Sequence, residues 1–364
     1  MEAGVTSTTA QDRRDALVER LFGATIGTLE LFGVYLGDRL GLYAALAGAD
    51  GLEPDELAER AGIAPRYARE WLEQQAVAGI LDVEDAESGT RRFRLPAEHA
   101  EVLIDAESPN YLAPFASLLA GIGGVLPDVV DAYRTGGGVP FSRYGADLRD
   151  GQAAMNRPAF TNEMASWIAT MPDVHARLRS EPAARIADVG CGVGWSTIAL
   201  ARAFPAATVE GIDLDQASVD DARRNAAEAG MAGAVSFHVG DAADPAAKGA
   251  YDLACMFEAL HDTPRPAEVL GALHQTLRED GSVLLADERV ASSFTAPGDD
   301  VERMMYGWSI SHCLPAAMVD QPAEPTGTVL REPTVRDLAG RAGFRSVDVL
   351  PIENDFFRFY RLRR

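Results

Sequence analysis

At 364 residues and 47% hydrophobic side chains, the chain is long enough for two domains and a substantial core, which excludes a disordered or fibrous protein. Its formal charge of −22 disfavours nucleic acid and anionic membrane as partners, because both are bound by neutralising phosphate with Lys and Arg. Lys248 is the only lysine, which argues against a P-loop ATPase and against Schiff-base or pyridoxal phosphate chemistry, while three widely spaced cysteines (Cys191, Cys255, Cys313) argue against a disulfide framework or zinc cluster.

The first residues, MEAGVTSTTAQDRRD, have no signal-peptide shape and no apolar run approaches 18 residues, so a soluble, cytoplasmic protein is expected. From Arg14 to Ala47 apolar residues recur at helical spacing over about two helices with little polar face. Such helices want burial, here read as burial against a second subunit in a homodimer. Leu52 to Leu95 has the order of a winged helix. A short helix opens at Pro54 and ends near Gly62, a second spans Pro65 to Gly79, and Ile80–Val83 with Arg92–Leu95 suggest a hairpin wing. Arg66 and Arg69 are offset by Glu70 and Glu73, and the wing carries Asp82, Glu84, Asp85 and Glu87, so DNA binding is not expected. Trp71 reads as core.

Residues 96–180 read as a helical linker and substrate lid. The stretch TGGGVPFSRYGADL passes near the active site, where Tyr144 is expected to touch cofactor or substrate. On a helix from Pro158 to Thr170, Phe160, Met164 and Trp167 share one face, which serves either core or substrate pocket.

Residues 181–364 alternate strand and helix: strands at Arg185–Val189, Ala207–Ile212, Val235–Val239, Asp252–Phe257 and Ser282–Ala286 give a doubly wound parallel sheet. After the first strand, Gly190, Gly192 and Gly194 alternate before a helix starting at Ser196. The spacing is D-x-G-x-G-x-G from Asp188, with Cys191 inside the loop and Trp195 where a dinucleotide fingerprint has its third glycine. Asp213 ends the second strand about 20 residues on, where an acid can take ribose hydroxyls. Gly240-Asp241-Ala242 closes the third.

This pattern resembles motif I of the class I S-adenosylmethionine (SAM) dependent methyltransferases. The resemblance implies a Rossmann-like α/β fold with a seven-stranded sheet closed by a C-terminal antiparallel hairpin, behind an N-terminal helical winged-helix dimerisation domain (residues 1–95). SAM is then the expected cofactor, held by Asp188, Gly190, Cys191, Gly192, Gly194, Trp195, Asp213, Leu214, Gly240, Asp241, Ala242, Phe257 and Glu258, with Asp241 accepting from the adenine amine. The methyltransferases that pair a metal with a catalytic lysine are disfavoured, and no metal is expected.

Phe257-Glu258-Ala259-Leu260-His261-Asp262 resembles the "HD" segment of the plant-type small-molecule O-methyltransferases. By position, His261 is then the general base, oriented by Asp262 or Glu288, with His312 as a second candidate. The insertion Ser292–Arg331 supplies a substrate wall rich in Met and aromatic residues, including Met305 and Trp308. His312 and Cys313 are not expected to pair, because neighbours on a helix point apart. The expected reaction is methylation of a small, largely apolar metabolite at oxygen, in natural product biosynthesis. Methylation at carbon or nitrogen, a SAM-bound cyclase that transfers no methyl, and a SAM-sensing DNA-binding regulator are the alternatives.

Overall fold

The computed structural model describes residues 9–85, 91–243 and 249–364; Glu87 and Lys248 lie outside them. Contacts divide the chain into two units, Met1–Ala120 and Gly121–Arg364, so the 96–180 stretch falls partly in each.

The first unit opens with α1 (Ala10–Arg39), whose Thr9 and Asp12 form a capping box. There follow α2 (Leu42–Leu46), α3 (Pro54–Ala61), α4 (Pro65–Val77), a hairpin of β1 (Asp82–Asp85) and β2 (Arg91–Arg94), and α5 (Ala97–Ile104). Proline at the first turn of α3 and α4 costs no hydrogen bond there, which is why both helices start where the sequence implied. The hairpin pairs Asp82 with Arg94 and begins two residues later than expected. Ile80 and Leu81 both donate backbone hydrogen bonds to the Gln75 carbonyl, closing α4 instead of joining the strand. Trp71 is core, with its Nε1 donating to the Gly33 carbonyl. The other end of α1 is different: Leu17, Leu21, Phe22 and Leu29 are exposed, Phe22 to 67%. Helix α6 (Pro114–Thr135) is the one described helix long and apolar enough to cross a membrane.

In the second unit α7 (Gly145–Ala169) and α8 (Pro172–Arg177) precede the alternating region. That region runs β3 (Arg185–Val189), α9 (Trp195–Ala203), β4 (Thr208–Asp213), α10 (Gln216–Glu228), β5 (Val235–Val239), β6 (Tyr251–Phe257), α11 (Pro266–Thr276) and β7 (Leu277–Glu288). The insertion folds as α12 (Asp300–Trp308), a π-helical turn (Ser309–Cys313) and α13 (Leu314–Ala317). α14 (Glu332–Arg341), β8 (Ser346–Val349) and β9 (Phe357–Arg363) complete the unit.

The sheet order is β5-β4-β3-β6-β7-β9-β8, with the first five strands parallel and β9 antiparallel to both β7 and β8. Successive strand residues face opposite sides. Ile186, Leu253, Leu284 and Phe359 pack with α7 to α9 on one face, while Ala187, Ala254, Leu285 and Tyr360 pack with α11 and α14 on the other. Burial on both faces explains why these strands read as continuous apolar runs. Because β3 pairs with both β4 and β6, the order reverses at β3, the place where open α/β sheets bind ligands beyond the strands' carboxyl ends.

The shorter of two ion pairs to Asp173 ties β9 to α8. Arg361, 4% exposed at its side chain, donates to both carboxylate oxygens of Asp173 at 2.7 and 2.5 Å and to Ser282 Oγ at 3.0 Å. These hydrogen bonds outweigh burial and lower the Asp173 pKa to about 2. The depressed value means that the pair stabilises the fold above the unfolded carboxylate pKa and that this contribution is lost as pH falls through about 2. Asp173→Asn is expected to cost about 1–2 kcal/mol at pH 7, less than a fully buried pair because water reaches Asp173. Chemical denaturation at pH 7 and pH 2 checks this: the deficit should be largest at pH 7, and equal deficits at both would contradict it.

Candidate active site

The glycine loop between β3 and α9 owes its shape to three left-handed residues: Gly190 (φ 72°), Gly192 (φ 51°) and Gly194 (φ 86°). Only glycine takes these angles without strain. A Cβ on Gly194 would also meet the Phe237 ring at 2.8 Å, whereas a Cβ on Gly192 would meet nothing within 4 Å, so Gly192 is the open member of the loop. Asp188 anchors it from below. It is buried, and one carboxylate oxygen accepts from Ser196 and Thr197 at 2.6 Å each, fixing the start of α9. Burial raises its pKa to about 6.

Asp213, at the end of β4, braces the same loop. Its Oδ2 accepts from the Gly192 N–H at 2.8 Å and its Oδ1 from the Asp215 N–H at 2.9 Å. Burial raises its pKa in spite of these bonds. Each carboxylate oxygen has a further lone pair for a ligand. At the end of β5, Asp241 accepts from the Ala243 N–H at 2.8 Å, forming the small turn expected of an edge-reading loop.

These strand ends open onto a cavity of about 460 Å³. Of the expected cofactor residues, Gly190, Cys191, Gly192, Trp195, Asp213, Leu214, Gly240, Asp241, Ala242, Phe257 and Glu258 line it; Asp188 and Gly194 lie behind the loop. Tyr144 does not reach the cavity. Its hydroxyl donates to the Ser311 carbonyl at 3.0 Å and its ring packs edge-on against His312 at 4.6 Å, so it supports the wall from behind.

The substrate residues divide in the same way. Phe160 lines the cavity, but Met164 and Trp167 are 2% exposed and belong to the core, Trp167 stacking near Phe257 and Phe359. Met305, Trp308 and His312 are also off the wall; Ala316 and Val319 take that place. Sequence reading missed Arg149, Gln152 and Asn156, which share a face of α7 with Phe160 at helical spacing. They were hidden because the helix was begun at Pro158, which α7 in fact carries in its interior.

The loop after β6 gathers the ionisable groups. Glu258 has a positive φ of 49°, a strained conformation for a side-chain-bearing residue, and accepts from Asn156 Nδ2. Burial raises its pKa to about 7. His261 is 2% exposed, and its Nδ1 lies 2.9 Å from Asp287 Oδ1 while Nε2 lies 3.4 Å from Asp262 Oδ1. Asp287, not Glu288, therefore orients the ring through Nδ1. Adjacent residues of β7 face opposite sides, so only one of the two can reach the imidazole. Burial alone would lower the His261 pKa, but the Asp287 and Asp262 carboxylates outweigh it and hold it well above the ordinary histidine value. Glu258 and Asp262 reach the cavity surface, and His261 stands directly behind Asp262 in sequence and space.

His312 and Cys313, expected to point apart, meet with Nδ1 and Sγ 3.4 Å apart in the π-helical turn. Burial lowers the His312 pKa and raises that of Cys313 to about 12, so the contact joins a neutral imidazole to a thiol and makes no activated nucleophile.

A family model described as a methyltransferase domain matches residues 186–281, and one described as an Rv2258c-like winged HTH domain matches residues 28–104. The chain carries a methyltransferase domain behind a winged-helix domain. Over 121 residues the chain is 31% identical to a ubiquinone biosynthesis O-methyltransferase of Burkholderia pseudomallei, covering 33% of this chain and 48% of that protein. A polyketide synthase, ThaQ, of Burkholderia thailandensis is 31% identical over 107 residues, covering 29% of this chain and 5% of that one. The chain thus spans about half or less of the length of these curated relatives. Among solved structures, mitomycin 7-O-methyltransferase MmcR has a TM-score of 0.70 at 20% identity, covering 98% of this chain and 100% of its own. Human N-acetylserotonin methyltransferase in complex with SAM has a TM-score of 0.68 at 17% identity, covering 99% of each chain.

The residues of the methyltransferase domain fit SAM. The open Gly192 lets a ligand approach the loop backbone closely, the two strand-end aspartates offer acceptors for an adenosine, and the Glu258 carboxyl stands on the same wall.

Proposed function

We propose that the protein transfers a methyl group from SAM to a hydroxyl of a small, largely apolar metabolite. The observation that carries this reading is the convergence of Asp213, the glycine loop, Glu258 and Asp262 at one cavity, with the His261–Asp287 pair buried behind Asp262 and further walls that include Phe141, Phe160, Phe257 and Val319. SAM, when bound, supplies an activated methyl on a sulfonium. Asp213 holds the ribose, Asp241 the adenine edge, and the Gly190–Gly194 backbone the amino-acid end.

Methyl transfer discharges a positive centre, so alignment matters more than charge stabilisation; correct positioning is worth up to about 7–11 kcal/mol. The walls above serve that positioning and keep water out. His261 is the proposed base: it lies behind Asp262, which lines the cavity and stands 3.4 Å from Nε2, so the hydroxyl proton reaches the ring by way of Asp262, while Asp287 on Nδ1 stabilises the imidazolium. Because the flanking carboxylates hold the His261 pKa well above the ordinary histidine value, only its neutral form, favoured as pH rises, can accept the proton.

We also infer a homodimer joined through the winged-helix unit, in keeping with the exposed apolar face of α1. The cytoplasm is the proposed compartment, in keeping with three free thiols.

Calorimetric titration with SAM, followed by turnover of candidate phenols and alcohols with deuteriomethyl SAM, tests the reading. It expects saturable SAM binding and a labelled ether product. Label on carbon or nitrogen would move the reaction to another acceptor, and no SAM binding would end it.

A further inference from the structure

His261, Asp262 and Cys313 each bring one metal-ligating atom to a single point, all within 4.8 Å of one another. His261 and Asp262 come from the loop after β6, and Cys313 from the π-helical turn of the insertion. We propose that these three side chains form a binding site for a thiophilic divalent cation of the zinc class, beside the cavity that Asp262 lines.

One pair of the three already stands at coordination distance. His261 Nε2 and Asp262 Oδ1 are 3.4 Å apart. Two ligands at zinc's usual N and O distances and a tetrahedral angle stand about 3.3–3.5 Å apart. The other His261 nitrogen is occupied by Asp287, the carboxylate–histidine arrangement that fixes a metal-binding imidazole. Asp262 Oδ1 is buried without a hydrogen-bond partner, a group that a cation would satisfy. Nitrogen and sulfur donors select zinc or cobalt over magnesium or calcium, which want oxygen throughout. Asp262 is the one ligand that also lines the cavity, and three protein ligands leave the fourth position for water, as in catalytic rather than structural zinc sites. Binding releases the Cys313 thiol proton, leaving the sulfur as thiolate, and the proton on His261 Nε2, freeing that lone pair for the metal.

Neither sequence spacing nor cysteine count points to such a site, because the two halves lie far apart in the chain and meet only through the fold. The site has a consequence for turnover that rests on His261 acting as base: a bound cation takes the Nε2 lone pair and blocks proton transfer. Cation binding itself does not depend on that reading.

The full chain, freed of metal by dialysis against a chelator, would be titrated with Co²⁺ as the probe. One Co²⁺ per chain is expected, with a near-ultraviolet thiolate-to-cobalt band that Zn²⁺ bleaches. Cys313→Ser should abolish the band. Asp262→Asn should keep it and weaken binding more than about tenfold, since even outer-shell partners are worth about 10–100-fold. A folded wild-type chain without the band, or a Cys313→Ser chain that titrates like wild type, overturns the proposal. Should Cys313→Ser fail to fold, Asp262→Asn decides, and unchanged affinity there overturns it equally. A SAM titration of the same metal-free sample separates this outcome from the fate of the methyl-transfer reading: normal SAM binding beside an absent cobalt band removes the metal site alone.

Discussion

Replacing His261 by asparagine is expected to lower turnover by about 10²–10⁴-fold while changing SAM affinity by less than about twofold. Asparagine can keep a hydrogen bond to Asp287, which holds Nδ1 at 2.9 Å in the native protein, but it cannot take a proton. The loss would therefore fall on the chemical step and not on ring orientation. The cofactor side of the cavity is built from other elements, chiefly the loop after β3 and the ends of β4 and β5, which is why binding should be spared. Single-turnover rates and calorimetry on the same preparation measure the two separately. A turnover loss under tenfold would transfer the base role to Glu258 or Asp262, the carboxylates that line the cavity.

Asp213→Asn is expected to act in the opposite sense, weakening SAM binding by about 10²-fold or more. Hydrogen bonds to a charged group are worth about 1.5–3 kcal/mol each, so losing two ribose contacts amounts to about 3–6 kcal/mol. The second source of loss is the loop. Asp213 accepts from the backbone N–H groups of both Gly192 and Asp215, and an asparagine amide must turn its NH₂ toward one of them. Calorimetric Kd values for SAM and S-adenosylhomocysteine would check this, with circular dichroism to show that the fold survives. A change below about tenfold in both would remove Asp213 from the ribose site.

Much of the proposed cofactor side was legible because its requirements are local. Left-handed φ at Gly190, Gly192 and Gly194 demands glycine, and an acid at a strand end is visible as soon as the strand is. The substrate side was read less well. Met164 and Trp167 sit on the expected helix face but turn into the sheet's core, while Asn156 and Gln152, on the same helix, reach the cavity. Helical spacing says which residues share a face and not what that face meets. The Met305–His312 stretch was expected to form the wall, yet the π-helical turn shifts the phase of the insertion, bringing Ala316 and Val319 to the cavity and Cys313 to His261.

The sequence by itself determined the alternation of strands and helices, the glycine loop, the acids at the ends of β4 and β5, and the segment that carries His261. These are set by backbone geometry and by hydrophobic periodicity over a few residues, which any reader of the chain can recover. Tertiary structure alone decided that Asp287 and not Glu288 holds the imidazole, that Tyr144 stands behind the wall, and that Cys313 joins His261 and Asp262. Those contacts link residues far apart in the chain, and their partners are chosen by how β7 and the insertion pack beyond the end of β6, a matter of three-dimensional fit that leaves no periodic trace.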